Sequence, residues 1–116
     1  MAAPEDVYER IENRLISHGI YVTDLDRGEE AVSLTYETVH ATEGVPETDV
    51  GRTVNVFREL REEGWEPVDV RATATDLDGN RLGSWVAEAE WFRQLAAGEI
   101  TEVEFTARLR ETIEVA

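Results

Sequence analysis

Two runs of alternating residues on either side of Asp78-Gly79 constrain this chain more than any other feature. Val68, Val70, Ala72 and Ala74 fall on one side of an extended backbone, and Asp69, Arg71, Thr73 and Thr75 fall on the other. Past the Asp-Gly pair, Trp85, Ala87 and Ala89 alternate with Val86 and Glu88. Successive side chains of a strand point to opposite faces, so a period of two with one apolar side reads as a strand lying on a core. Asp-Gly between two such runs is a hairpin signal, because glycine accepts the positive φ of the turn. The pattern predicts antiparallel strands over residues 68–75 and 81–89.

A fainter version of the same unit comes earlier. Val7, Ile11 and Leu15 recur at helical spacing, with Tyr8 beside them, and predict a helix over residues 4–18. Pro4 suits the first helical position, Glu5 and Asp6 suit the positive end of the helix dipole, and Gly19 suits the stop. Over residues 20–39, Ile20 and Val22 oppose Tyr21 and Thr23, while Val32, Leu34 and Tyr36 oppose Ala31, Ser33, Thr35 and Glu37. Residues 24–28 read as the turn of a first hairpin. Residues 40–45 read as a loop. A second helix over residues 46–63 carries the stripe Val50, Val54, Phe57 and Leu60, and Gly64 ends it.

Helix, glycine and hairpin therefore occur twice in the same order. The expected fold is one α+β domain over residues 1–116, with a duplicated αββαββ core in residues 1–90 and a helical tail in residues 91–116. Its sheet is expected to be four-stranded and antiparallel, with two long helices on one face. The handover from strand to helix near Trp85 is open to two readings. The alternation favours a strand to residue 89 and a helix over 90–97, whereas the alanine content also allows a helix from Ser84.

The tail has the best-defined local motif. Gly98 closes a short helix, and Thr101 with Glu104 forms a capping box at the start of the next. Ile100 and Phe105 flank the box as a hydrophobic staple, and Phe105, Leu109 and Ile113 recur every four residues. Through Leu95, Gly98, Ile100, Thr101, Glu104 and Phe105, this stretch resembles the short C-terminal domain called SHOCT, over about residues 91–113. Arg108 stands where lysine is common in that family. The resemblance implies a helical pair used for self-association or partner contact. The plain structural reading is two helices covering one end of the core.

Charge bounds the partners. The chain has 26 acidic and 11 basic residues, a net charge of −15, and every basic residue is arginine. Such a chain repels nucleic acid and anionic membranes. At molar ionic strength the Debye length falls to about 3 Å, so carboxylate repulsion is screened while the carboxylates keep the surface hydrated. The composition resembles that of haloarchaeal cytoplasmic proteins, which implies a salt-adapted protein and a cytoplasmic location. The 41% hydrophobic content, arranged periodically, argues against disorder.

Catalytic and cofactor signatures are not found. There is no cysteine, which excludes disulfides and thiolate metal sites. Asp76, Asp78 and Asn80 approach the composition of a calcium loop, but Gly79 comes too early for an EF-hand and a hairpin turn accounts for them. His18 suits a helix end, and His40 has no assigned role. Arg52, Arg58 and Arg61 alternate with Glu59, Glu62 and Glu63, which reads as exposed salt pairs. No catalytic residue, metal site or cofactor is expected. The function expected is a non-enzymatic protein-interaction or self-association module, with a homo-oligomer or an unknown protein as partner. The alternative is a regulator binding a small ligand or nucleic acid. The candidate contact surface comprises Thr23, Thr35, Arg71 and Thr73 on the free sheet face, with Trp91 and Phe105 of the tail.

Overall fold

The computed structural model describes residues 4–41 and 43–116, with side chains from Val7 onward. The charge–dipole role expected of Glu5 and Asp6 lies outside those side chains. The elements in order are α1 (Pro4–Ile16), β1 (Ile20–Arg27), β2 (Ala31–Thr38), α2 (Glu47–Arg61), β3 (Asp69–Thr75), β4 (Arg81–Ala87), α3 (Ala89–Ala96), α4 (Glu102–Thr112) and β5 (Glu114–Val115). The fold is α+β, and none of the described helices is long and apolar enough to cross a membrane.

The sheet differs from the expected one. It has five strands in the order β1-β2-β3-β4-β5, and it is mixed. Both hairpins are antiparallel, but β2 and β3 pair in parallel, Ala31 beside Asp69 through Glu37 beside Thr75. The reason is the connection between them. A hairpin turn reverses a strand, whereas α2 carries the chain back along the sheet, so β3 starts where β2 started. A further consequence is that β1 and β3, the first strands of the two hairpins, run in opposite directions. The repeat in sequence order is therefore not a simple repeat in space.

Local details also shift. The first hairpin does not turn at residues 24–28. A bulge between Val22 and Asp24 restores pairing, and β1 runs on to Arg27 opposite Val32. The loop of the second hairpin spans residues 76–80, closed by Asp76 N–H donating to the Asn80 carbonyl at 2.9 Å, with Gly79 at φ 85°. The helix from Ser84 is not formed. β4 ends at Ala87 because the Asp69 carboxylate, on the neighbouring strand, accepts the Ala89 N–H at 2.8 Å and caps the first turn of α3.

One face of the sheet and all four helices share a single core. Val32, Leu34 and Tyr36 line up with Val70, Ala72 and Ala74, and then with Trp85 and Ala87, under Ile11, Leu15, Val54, Phe57 and Leu60. Trp65 links Phe57 to Phe92 at 4.9 and 5.2 Å, and Phe92 meets Phe105 at 5.4 Å. Phe105 is 3% exposed, so the structure removes it from the expected contact surface. Burying a phenylalanine side chain contributes about 2 kcal/mol, which explains why the tail closes on its own chain. The capping box is formed, with Glu104 N–H to Thr101 Oγ1 and Thr101 N–H to Glu104 Oε1 both at 3.1 Å.

The tail then finishes the sheet. Thr112 Oγ1 accepts from Val86 N–H at 2.9 Å and donates to the Val86 carbonyl at 3.1 Å, standing in for a strand at the β4 edge. β5 pairs next, with Val115 beside Gly83. A Cβ at Gly83 would lie 2.4 Å from the Glu114 carbonyl oxygen, so only glycine admits β5 there.

Candidate functional site

Strand alternation brings part of the expected surface together. On the sheet face away from the helices, Thr35 pairs with Thr73 and Thr73 with Ser84, while Ser33 pairs with Arg71 and Arg71 with Val86. β1 adds Asp24 beside Thr35 and Asp26 beside Ser33. Thr23 sits at the bulge and donates to the Thr35 carbonyl at 3.3 Å. Helix α4 reaches this face at its last residue, Thr112, which bonds the Val86 backbone. Asp24, Ser33, Thr35, Arg71, Thr73 and Ser84 line a shallow cavity of about 320 Å³, which Arg81, Thr112 and Glu114 also line. Arg81 donates to Ser84 Oγ at 3.3 Å. Trp91 is not part of this face. It is half-buried on α3, with the Arg108 guanidinium 6.0 Å from its ring centroid.

Arg71 is distinctive among the arginines. Arg10 and Arg14 of α1 pair with Glu59 of α2 and with Glu63 in the turn that follows it, and the Arg14 bond holds the Glu63 carboxyl below its ordinary range. Arg58 pairs with Glu102 of α4, and Arg61 donates to the Phe92 carbonyl. The α2 pairs thus run between helices and not along one helix. Among the described residues, Arg71 and Arg52 have no hydrogen-bond or ion-pair partner. Arg52 lies on α2 by a separate cavity, whereas Arg71 stands in the middle of the open sheet face.

A buried polar network lies at the other end of the β2–α2 connection. Asp49, in the first turn of α2, is 0% exposed. Thr38 Oγ1 donates to its Oδ2 at 2.5 Å, and His40 Nδ1 lies 3.0 Å from its Oδ1. The His40 N–H donates to Thr38 Oγ1 at 3.0 Å, and Thr53 Oγ1 donates to the Asp49 carbonyl at 2.8 Å. A buried carboxylate needs such donors to offset its lost hydration. The network fastens the end of β2 to the start of α2. The spacing of Thr38, His40 and Asp49 has no motif signature, and the sequence signal was only an acid on the apolar side of a helix.

Two further polar groups have structural explanations. The Tyr36 hydroxyl accepts the Trp85 Nε1–H at 3.0 Å inside the core. Burial pushes the Tyr36 phenol up to about 12, the Trp85 bond pulls it down, and the Asp49 charge adds to the rise. Asp76 accepts from Asp78 N–H, Asn80 N–H and Asn80 Nδ2, so the calcium-like trio is a hydrogen-bonded turn. Those bonds, Asn80 first, hold the Asp76 carboxyl below its ordinary range. Among the described residues no group of three or more His, Asp or Glu is placed to hold a metal ion.

The family model described as Domain of unknown function (DUF8159) matches residues 1–116. No curated protein and no solved structure matches the chain.

Proposed function

We propose that this chain, which belongs to the DUF8159 family along its whole length, is a salt-adapted cytoplasmic protein-interaction module that takes its partner on the open face of the sheet. The observation that carries this reading is that face itself, with Arg71 unpartnered among the hydroxyls of Ser33, Thr35 and Thr73. A guanidinium placed among hydroxyls presents donors and acceptors with no long apolar surface, which suits a contact that must also survive exposed. The other surfaces are less suited. The helical side is committed to the core. The β1 edge carries a bulge and two aspartates, devices that discourage edge pairing. The opposite edge is occupied by Thr112 and β5.

The reading is non-enzymatic because the one histidine–carboxylate pair among the described residues, His40 with Asp49, serves as a fastener. Both Asp49 oxygens are engaged in tying β2 to α2. The SHOCT-like tail enters as a structural part, since Phe105 and Leu109 face the chain's own core.

The test places a photo-crosslinking amino acid at Thr73, on the open face, and separately at Glu9, exposed on α1. In cells grown at molar salt, the Thr73 probe should form a discrete protein adduct and the Glu9 probe should not. A Thr73 probe that reacts no more than the Glu9 probe overturns the reading.

A further inference from the structure

We infer that the cleft between α1, the end of β1 and the connection from α2 to β3 binds a free amino acid with an apolar side chain. The site lies on the helical side of the sheet, so it goes beyond the partner on the open face and does not depend on it. Strand pairing sets Arg27 opposite Val32, on the core side of β1. Its guanidinium stands 5.5 Å from the centroid of the Tyr8 ring on α1. Past Gly64, the chain turns back and buries Trp65, whose Nε1–H donates to the Tyr8 hydroxyl at 3.3 Å. That hydroxyl keeps its own proton, for which no described residue is an acceptor. With Val7, Val68 and Glu66, these side chains line a cleft of about 450 Å³. Gly64 also lines it, and a Cβ added there would meet nothing within 4 Å, so that wall stands open.

Ligand sites span about 300–1,000 Å³ and combine apolar walls with a few polar groups. Here Val7, Val68 and the rings of Tyr8 and Trp65 supply the apolar wall. The polar groups are of two kinds. Arg27 and the Tyr8 hydroxyl are donors, and Glu66 is a carboxylate, exposed and paired with no described residue. Arg27 is also engaged within its own chain, but a guanidinium has five N–H donors and a carboxylate takes two of them. A carboxylate, an ammonium and an apolar group on one small molecule answer these three kinds of lining. An α-amino acid such as leucine or phenylalanine carries all three.

Charge narrows the class further. The chain carries −15, so a simple anion approaches against its field, while a simple cation meets Arg27. A zwitterion has no net charge and takes both contacts. Exposed ion pairs contribute little, so the apolar side chain supplies most of the affinity and excludes glycine and serine.

Calorimetric titration and amide chemical-shift mapping of the full chain in molar potassium chloride test the inference. The probes are phenylalanine, leucine, glycine, 3-phenylpropionate, which lacks the ammonium, and phenethylamine, which lacks the carboxylate. Phenylalanine and leucine should bind in the millimolar range or tighter and shift the amides of Gly28, Gly64 and Glu66, and glycine should not bind. Each truncated probe should bind about threefold or more weakly than phenylalanine, the worth of one partly exposed charge pair. Glu66→Gln should weaken phenylalanine by a similar factor and leave 3-phenylpropionate unchanged. Val68→Phe, which fills the cleft, should abolish binding of every probe. Circular dichroism melting checks the fold of each variant, and Glu66→Gln, at an exposed position, keeps the test open if Val68→Phe does not fold. No binding of phenylalanine or leucine up to their solubility, or shifts confined to another surface, overturns the site. Binding of 3-phenylpropionate as tight as that of phenylalanine, or Glu66→Gln without effect on phenylalanine, overturns the amino acid as its ligand.

Discussion

Replacing Asp49 by alanine tests whether the network at the start of α2 is a fastener. The substitution removes the acceptor of Thr38 Oγ1 and the partner of His40 Nδ1, and it leaves the Thr38 hydroxyl, 0% exposed, without its short bond. A hydrogen bond to a charged group contributes about 1.5–3 kcal/mol, and His40 can turn to water because its side chain is 43% exposed. The expected loss is therefore about 3 kcal/mol, after alanine's better helix propensity returns about 0.5 kcal/mol. With an unfolding entropy near 2.1 cal/mol/K per residue, a chain of 116 residues loses about 4 °C of melting temperature per kcal/mol, so the variant should melt about 12 °C lower. Thr38→Val in the same chain removes the stranded donor as well. The double variant should then lose about 1–2 kcal/mol less than the sum of the single ones. Urea or thermal unfolding followed by circular dichroism gives all the corners of this cycle. An Asp49→Ala variant within about 3 °C of the wild type, or strict additivity with Thr38→Val, would refute the reasoning.

Two more outcomes follow from the core and the sheet edge. Tyr36 has its phenol raised to about 12 in the folded state against 10.0 ordinarily, so its contribution is complete below pH 10 and is lost as pH rises toward 12. Urea unfolding at pH 9 and pH 11.5 should show a decline of about 2 kcal/mol that Tyr36→Phe lacks; an equal decline in both proteins sinks the assignment. Gly83→Ala should detach β5, because the new Cβ would meet Glu114 backbone and the Val45 side chain. Hydrogen exchange at the Ala116 N–H, which bonds the Leu82 carbonyl, should speed up, with about 1–2 kcal/mol lost overall. Deleting residues 114–116 from the variant should recover part of that loss, and no recovery would place the clash elsewhere.

Local chemistry was readable in the sequence, and chemistry between distant residues was not. The alternation of Val70, Ala72 and Ala74 and the capping box of Thr101 and Glu104 depend on neighbours a few residues away, and both are present as expected. The capping of α3 by Asp69, the Thr112 bond to Val86 and the Asp49 network join residues that only the fold brings together. Direction was lost for the same reason. The chain order strand, helix, strand implies a parallel pair when the strands are adjacent, but adjacency is a property of the folded sheet. Of the expected surface, Thr35, Arg71 and Thr73 come together because alternation alone assigns their face, and Thr23 joins them from the bulge by its bond to the Thr35 carbonyl. Phe105 leaves it because its aromatic neighbour, Phe92, approaches from another element, α3.

The parallel pairing of β2 with β3 also decides the order in which this chain can fold. Each hairpin joins residues close in the chain and can close early, since short loops cost little entropy to form. Joining the two hairpins brings residue 31 beside residue 69, with all of α2 between them. Contacts of such range slow folding, because the loop must close before the pairing rewards it. The β2–β3 seam is thus the step where two half-sheets become one protein. Until it forms, each half exposes an unpaired strand edge, and the seam, more than any surface residue, guards this chain against association with the wrong strand.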